Sequence, residues 1–388
     1  MQETLAPDLA ARTGLAARIV RVETIPLSVP FAAPFRIASG GARAASEILL
    51  VRLHLDNGQQ GIGETQAWRR QGSTETLASL KAAIEQLLAP CCVGRSPFEI
   101  ASIAAAMDDA LYKSWYAKAP LLDALYDLQG KLLGVPVHQL LGGKCRDAVG
   151  ACAVLPVEQD IGASIEAARE FRARGFRSFT VKVGVYPQLE VRLVQAVREH
   201  FPEAILRVDA NASLEFDAAL ALLRKLAPYG IDAAEQMVPL WDLDGMAELA
   251  RRVDIPMMAD ESIGGDHDLL EVIRRRAASI FQTKVAKCGG IWHTRRLWTI
   301  ADAAGLRIYP GNHPCTSIAT ASVVQLGAAW NGRPLLDGAH AVGITGALAR
   351  DVVRQPLRIE DGAVRVPDAP GLGVELDEDA VRDMRVEV

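Results

Sequence analysis

Residues 205–211, ILRVDAN, form an apolar, β-forming run closed by an acid, Asp209, and the pattern recurs along the chain at nearly constant intervals. Before it, FRSFTVKVG (176–184) carries Lys182 in the corresponding place. After it, GIDAAEQ (230–236) closes on Glu235, IPMMADE (255–261) on Asp260 and SIFQTKV (279–285) on Lys284. The intervals are 27, 26, 25 and 24 residues, about the length of one strand, one helix and two loops. Repeating such units predicts an α/β barrel that gathers all five charges at one rim.

Working outward, ACAVLPV (151–157), GLRIYPGNH (305–313) and PLLDG (334–338) bring the strand candidates to eight. Amphipathic stretches such as IGASIEAAREFRARG (161–175) and GIWHTRRLWTIADAAG (290–305) lie between them, which fits a barrel better than an open dinucleotide-binding sheet. The pairs Gly142/Gly143, Gly264/Gly265 and Gly289/Gly290 lack phosphate-loop spacing, so no organic cofactor is expected. Upstream, RIVRVETIPLSVP (18–30), EILLVRLHL (47–55) and GIGETQ (61–66) read as strands, followed by helical segments through residue 134. The predicted organisation is a loose tail (1–18), an α+β unit (19–145), the barrel (146–345) and a segment of short strands and turns (346–388) packing back on the first domain.

A net charge of −5 gives no electrostatic reason to expect nucleic acid. No apolar stretch approaches 18 residues, and the first twenty contain acids, so neither a membrane span nor a signal peptide is expected. The six cysteines, Cys91, Cys92, Cys145, Cys152, Cys288 and Cys315, lack CxxC spacing, which favours a reduced, cytoplasmic protein.

Carboxylates at the ends of buried strands are costly unless compensated, and three on successive strands repel one another. A helix cap or rim salt bridge accounts for each alone. In register, Asp209, Glu235 and Asp260 suit a hard cation, and oxygen-only donors favour Mg²⁺ or Mn²⁺ over zinc. Strand alternation turns Glu261 away, so it is placed behind the ligands. Asn211 and Lys287 are placed there too, the lysine as a carboxylate partner. Lys182 and Lys284, on opposed strands, suit removal of a carbon-bound proton from one face and its return on the other. Free lysine titrates at about 10.4, and a nearby dication with partial burial would lower that. The plainer reading makes both lysines counter-ions of the acids. Thr180 shares a face with Lys182 and is placed as a substrate contact through its hydroxyl. Asn312 and His313 follow the next strand, where the histidine is either an acid/base or substrate-binding group or a satisfied rim residue. Asp337 is either a charge facing a substrate ammonium or a turn residue.

GIGET (61–65), AKAPLLDALYDLQGKLLGVPVHQLLGG (117–143), TVKVG (180–184), VDAN (208–211), AEQ (234–236), ADES (259–262) and KVAKCGG (284–290) together resemble the enolase superfamily, and within it the muconate lactonizing enzyme subgroup. The resemblance spans nearly the entire chain. It implies a modified TIM barrel, (β/α)₇β, under an N-terminal α+β capping domain. It also implies Mg²⁺ on the residues matching Asp209, Glu235 and Asp260, and a small-molecule carboxylate substrate that loses its α proton to give an enediolate. Lys182 matches the second-strand base and Lys284 the sixth-strand lysine. A cap loop at roughly residues 30–41, with Phe35 and Arg36, and Trp68 after GIGET would touch substrate. Members are usually dimers or octamers. Two residues depart from the subgroup. Thr180 stands where a lysine is usual, and His313 is similar in placement to the histidine of the mandelate racemase branch, whose paired aspartate is here Lys284. The opposed lysines put a racemase or epimerase first, a muconate-type cycloisomerase second and a dehydratase of a β-hydroxy acid third. A non-enzymatic binding protein on a decayed barrel comes last.

Overall fold

Alternating β-branched and polar residues in the first part of the chain form three antiparallel strands, β1 (Ile19–Ile37), β2 (Gly40–Leu55) and β3 (Gln60–Gln66), in that spatial order. The computed structural model describes residues 16–37, 40–67, 75–155, 160–337 and 346–388, with backbone alone for 34–37 and 40–42. Most of the expected tail therefore lies outside the described residues.

Helices α1 (Leu77–Ala83), α2 (Ile100–Ala110), α3 (Trp115–Leu133) and α4 (Val137–Leu140) follow. The two glycines of GIGET explain how α3 docks. A Cβ on Gly63 would stand 2.0 Å from the Pro120 carbonyl oxygen, and one on Gly61 2.4 Å from that of Ala124. Without side chains there, β3 lies directly against the helix backbone. Helix α3 is consequently buried on all sides from Tyr116 to Gly130, between the cap sheet and the barrel.

After β4 (Ala148–Gly150) the repeating units appear in order. They are β5 (Cys152–Leu155), α5 (Ile161–Ala173), β6 (Ser178–Lys182), α6 (Pro187–His200), β7 (Ile205–Asp209), α7 (Phe216–Leu226), β8 (Ala233–Glu235), α8 (Leu243–Arg252), β9 (Met257–Ala259), α9 (Asp266–Arg275), β10 (Ile280–Lys284), α10 (Gly290–Ala303), β11 (Arg307–Gly311) and α11 (Ser317–Ala329). Strands β5 to β11 form one curled, parallel, seven-stranded sheet in sequence order. The eighth candidate, PLLDG, joins it through Leu336 N, which donates to Ile308 O at 2.9 Å. The Asp337 carboxylate reaches Gly150, next to β5, so this segment lies between the last strand and the first. Residues 338–345, which continue it, are outside the described residues. The architecture is the modified TIM barrel with an N-terminal β+α cap.

Residues beyond 345 hydrogen-bond to β1 of the cap. Ser28 N donates to Met384 O at 2.9 Å, Val386 N to Pro26 O at 3.0 Å and Ala349 N to Pro30 O at 2.9 Å. The segment also adds β12 (Ile359–Glu360) and β13 (Ala363–Arg365) to β4. The expectation of strands and turns alone is corrected by α12 (Glu378–Asp383), whose cap residue Asp377 accepts from Asp379 N and Ala380 N. At six residues that helix is too short for its periodicity to show. No described helix is long and apolar enough to cross a membrane.

Candidate active site

Strand register brings the five charges together. Lys182 pairs with Asp209, and Asp209 with Glu235. Glu235 pairs with Met258, so Asp260 stands two residues further on. Met258 pairs with Ile280, which sets Asp260 level with Gln282 and leaves Lys284 two residues further again. Every step is even, so side chains that alternate with period two keep all five on the inner face. The climb is the stagger a sheet needs to close into a barrel. Lys284 pairs with Gly311, and His313 is again two residues beyond.

The lysines lean onto the acids. Lys182 Nζ is paired with Asp209 Oδ2, and Lys284 Nζ with Asp260 Oδ2. Lys287 Nζ lies 2.9 Å from Asp260 Oδ1 and also donates to the Asp260 carbonyl. Glu235 Oε1 accepts from Gln282 Nε2 at 2.6 Å. Asn211 donates its backbone N–H to Asp209 Oδ1 at 2.7 Å and its amide to Asp209 Oδ2 at 3.1 Å and Glu261 Oε1 at 3.3 Å. Glu261 is therefore not turned away as alternation predicts. Strand β9 ends at Ala259, and the following loop brings its carboxylate toward Asn211.

These contacts set the protonation states. Burial, with the charges of Asp209 and Asp260 adding to it, pushes Glu235 well above the usual carboxylate range. Burial also acts to raise Asp260, but the ammonium groups of Lys284 and Lys287 outweigh it and hold the group well below that range. Burial and the neighbouring Asp260 charge push Glu261 up to about 8. Both catalytic-candidate lysines resist burial in the same way: Asp209 and Glu235 raise Lys182, and Asp260, Glu261 and Glu235 raise Lys284.

Among the described residues, no three His, Cys, Asp or Glu side chains converge as a ready-made metal cage. The donor chemistry nevertheless fits a hard cation. The three acids supply only oxygen, and the buried atoms Glu235 Oε2 and Asn211 Oδ1 have no hydrogen-bond partner among the described residues. A buried, partnerless carboxylate oxygen amid like charges is the position a cation relieves.

The remaining candidates scatter. His313 joins the rim, its Nε2 3.3 Å from the Tyr116 hydroxyl of α3, and Asn312 Oδ1 accepts from the His313 N–H at 3.0 Å. Thr180 is fully buried below Lys182, its Oγ1 3.3 Å from Cys152 Sγ, so it faces the barrel interior. Asp337 is not brought to the rim: it stands near the level of Ile308, its carbonyl accepts from Arg207 Nη1 at 2.8 Å, and its carboxylate packs on Gly150. Phe35 and Arg36 lie on β1 with side chains outside the description, and Trp68 is outside the described residues. A cavity of about 350 Å³ opens beside the cluster, walled by Trp115, Tyr116, Leu240, Glu261, Ile263 and Lys287.

Three contributors escaped the sequence reading. Gln282, which holds Glu235, had a signal: a polar residue inside an apolar strand, two before Lys284. So did Arg207, two before Asp209, which lies buried with its guanidinium 4.5 Å from the Tyr309 ring centroid. Tyr116 had none, because only cap docking brings it to His313.

Comparison with known proteins identifies the family. Residues 19–142 match the family described as mandelate racemase / muconate lactonizing enzyme, N-terminal domain, and residues 163–380 match the family described as enolase C-terminal domain-like. The chain is 35% identical to muconate cycloisomerase 1 of Rhodococcus opacus, over 94% of this chain and 97% of that one. It is 29% identical to the N-succinyl-L-Arg/Lys racemase of Bacillus cereus, over 95% and 98%. The muconate lactonizing enzyme of Pseudomonas fluorescens, solved with muconolactone, superposes with a TM-score of 0.91 at 31% identity, covering 96% of this chain and all of that one. Cycloisomerases of muconate and chloromuconate outnumber racemases and epimerases among the most similar relatives.

Proposed function

The chain belongs to the enolase superfamily, in its muconate lactonizing subgroup, and is an isomerase of that superfamily; from this premise we propose that it catalyses a muconate-type cycloisomerisation. The pair of lysines on opposite walls of a barrel mouth lined by carboxylates supports proton transfer at a substrate carbon. The observation that carries the choice of reaction is the predominance of cycloisomerases among the relatives, which places this reaction ahead of the racemisation that opposed lysines alone suggest.

The substrate is a diene with a carboxylate at each end. One carboxylate oxygen adds to the double bond conjugated to the other carboxylate, at that carboxylate's β carbon, forming the lactone C–O bond as the π electron pair moves to the carbon α to the other carboxylate. Lys182, as ammonium, delivers a proton to that carbon and recovers one from solvent, so the product is an isomer once charge is counted. Lys284, across the mouth, holds positive charge beside the oxygens on which negative charge accumulates. Asp209, Glu235 and Asp260 would hold a divalent cation such as Mg²⁺, which supplies positive charge to a substrate carboxylate when bound. Lys287 and Gln282 keep Asp260 and Glu235 in place, and Asn211 fixes both oxygens of Asp209.

Racemisation of an acylated amino acid is the second reading, favoured by the symmetric placement of Lys182 and Lys284 and by the Bacillus cereus relative. Turnover in D₂O separates the two. Incubated with cis,cis-muconate and Mg²⁺, the protein is expected to form lactone carrying one deuterium at the α carbon, on a single face. Absence of muconate turnover alongside α-deuteration of both enantiomers of an N-succinyl amino acid would replace the cycloisomerase reading with the racemase one.

A further inference from the structure

Two buried carboxylates of the cap touch the barrel immediately after the loops that carry its rim residues. Glu64, at the end of GIGE on β3, accepts from Thr316 N at 3.0 Å, Ala319 N at 3.3 Å and Gln66 Nε2 at 3.0 Å, and from the Thr316 hydroxyl. Thr316 caps α11 and is three residues beyond His313. Asp123, on α3, accepts from Ile291 N at 2.7 Å, at the start of α10. A Cβ on the preceding Gly290 would stand 2.8 Å from the same carboxylate oxygen. The turn between Lys284 and this contact is tight: Cys288 N donates to Lys284 O at 2.9 Å and Gly290 N to Val285 O at 2.8 Å.

Both acids are only 2% exposed, and the donors they meet are neutral N–H and O–H groups. An interface needing only apolar burial has no use for two such groups, because a buried carboxylate costs free energy unless its oxygens are satisfied. What they add is direction. Hydrogen bonds fix the start of α11 relative to β3 and the start of α10 relative to α3, and hence the preceding loops, and Tyr116 of α3 also meets His313. Ser46 of β2 adds a third tether, its hydroxyl donating to Pro314 O at 2.7 Å.

We propose that Glu64 and Asp123 are positioning residues, which hold from the cap the two rim loops carrying Lys287 and His313. Neither touches the carboxylate cluster or the reacting atoms. They act by setting the height and tilt of the loops, to which reactivity is steeply sensitive. The proposal rests on the proposed function only for its kinetic consequence.

Amide hydrogen–deuterium exchange of the full-length protein tests the positioning directly and needs no substrate. Glu64→Gln is expected to speed exchange at Thr316 and Ala319 about tenfold while leaving Ile291 unchanged, and Asp123→Asn to do the reverse. With cis,cis-muconate as substrate, each variant is expected to lower kcat about tenfold at nearly constant KM. The Ser322 hydroxyl also hydrogen-bonds Asp123, so if either variant fails to fold, Thr316→Val and Ser322→Ala remove one donor from each carboxylate and carry the same expectation at lower amplitude. Unchanged local exchange, or equal loss of protection across the entire cap, would overturn the proposal in favour of a general docking role. Failure to turn over muconate leaves the exchange result standing and counts against the proposed function alone.

Discussion

The barrel mouth and the seam between cap and barrel both bury carboxylates, and they satisfy them in opposite ways. At the mouth, Asp260 lies between the ammonium groups of Lys284 and Lys287, which overcome the effect of burial and keep it ionised. At the seam, burial dominates. Glu64 is pushed up to about 6 and Asp123 to about 7, because neutral donors compensate a buried charge less than a cation does. Asp127, which accepts from Ile62 N and Leu372 N, is also raised despite Lys131 at 2.6 Å. The difference lies in the partner: Asp260, held between two ammonium groups, stays ionised, whereas Glu64 and Asp123, met by neutral donors, titrate close to neutrality, and Glu235 and Glu261 at the mouth are raised like them where burial and like charge prevail.

The largest expected effect lies at the mouth. Lys182→Ala is expected to lower turnover about 10²–10⁴-fold, the usual share of a general acid or base, with an unchanged circular dichroism spectrum. A loss below tenfold would break the assignment of that lysine. Lys287→Met leaves Asp260 with one cation and its carbonyl without that donor. Urea unfolding is expected to show a cost of about 3–5 kcal/mol, and a value near zero would mean the pairing is not what stabilises the mouth.

At the seam, Gly63→Ala forces a Cβ onto the Pro120 carbonyl and is expected to cost about 1–3 kcal/mol by the same measurement. The pH dependence follows from the raised acids. Their folded pKa values of about 6 and 7 exceed unfolded values of about 4, so the folded protein binds extra protons in between. The stability they contribute is full below about pH 4 and is lost as pH rises through 6 and 7. The thermal midpoint is therefore expected to fall more between pH 5 and pH 8 in the natural protein than in the Glu64→Gln, Asp123→Asn double variant. Equal slopes would remove the contrast between seam and mouth. Smallest of all, Arg382→Ala breaks an exposed pair with Asp379 on α12 and is expected to leave the midpoint unmoved.

Particular residues show how far the chain can be read without its structure. Lys182, Asp209, Glu235, Asp260 and Lys284 were legible because a charge closing an apolar run is conspicuous and the runs repeat. GIGET was legible as a motif, but its glycines acquire a reason only against Pro120 and Ala124 of α3. Asp337 looked like a rim charge because PLLDG has the form of the other strand ends. Strand stagger places it at the level of Ile308 instead, with its carboxylate on Gly150. Thr180 looked like a substrate contact because it shares a face with Lys182, but two residues down a strand is one layer deeper in a closed barrel.

By itself the sequence determined the barrel, the order of its strands and the identity of the charges at its mouth. All three follow from periodicities of 2 and about 3.6 residues, which are local properties of the backbone. Only the tertiary structure decided which charges pair, which candidates stay below the rim, and that Tyr116, Glu64 and Asp123 reach across to His313, Thr316 and Ile291. Those contacts join residues 197, 252 and 168 positions apart. Their geometry comes from the docking of two packed surfaces, and no repeat along the chain encodes it.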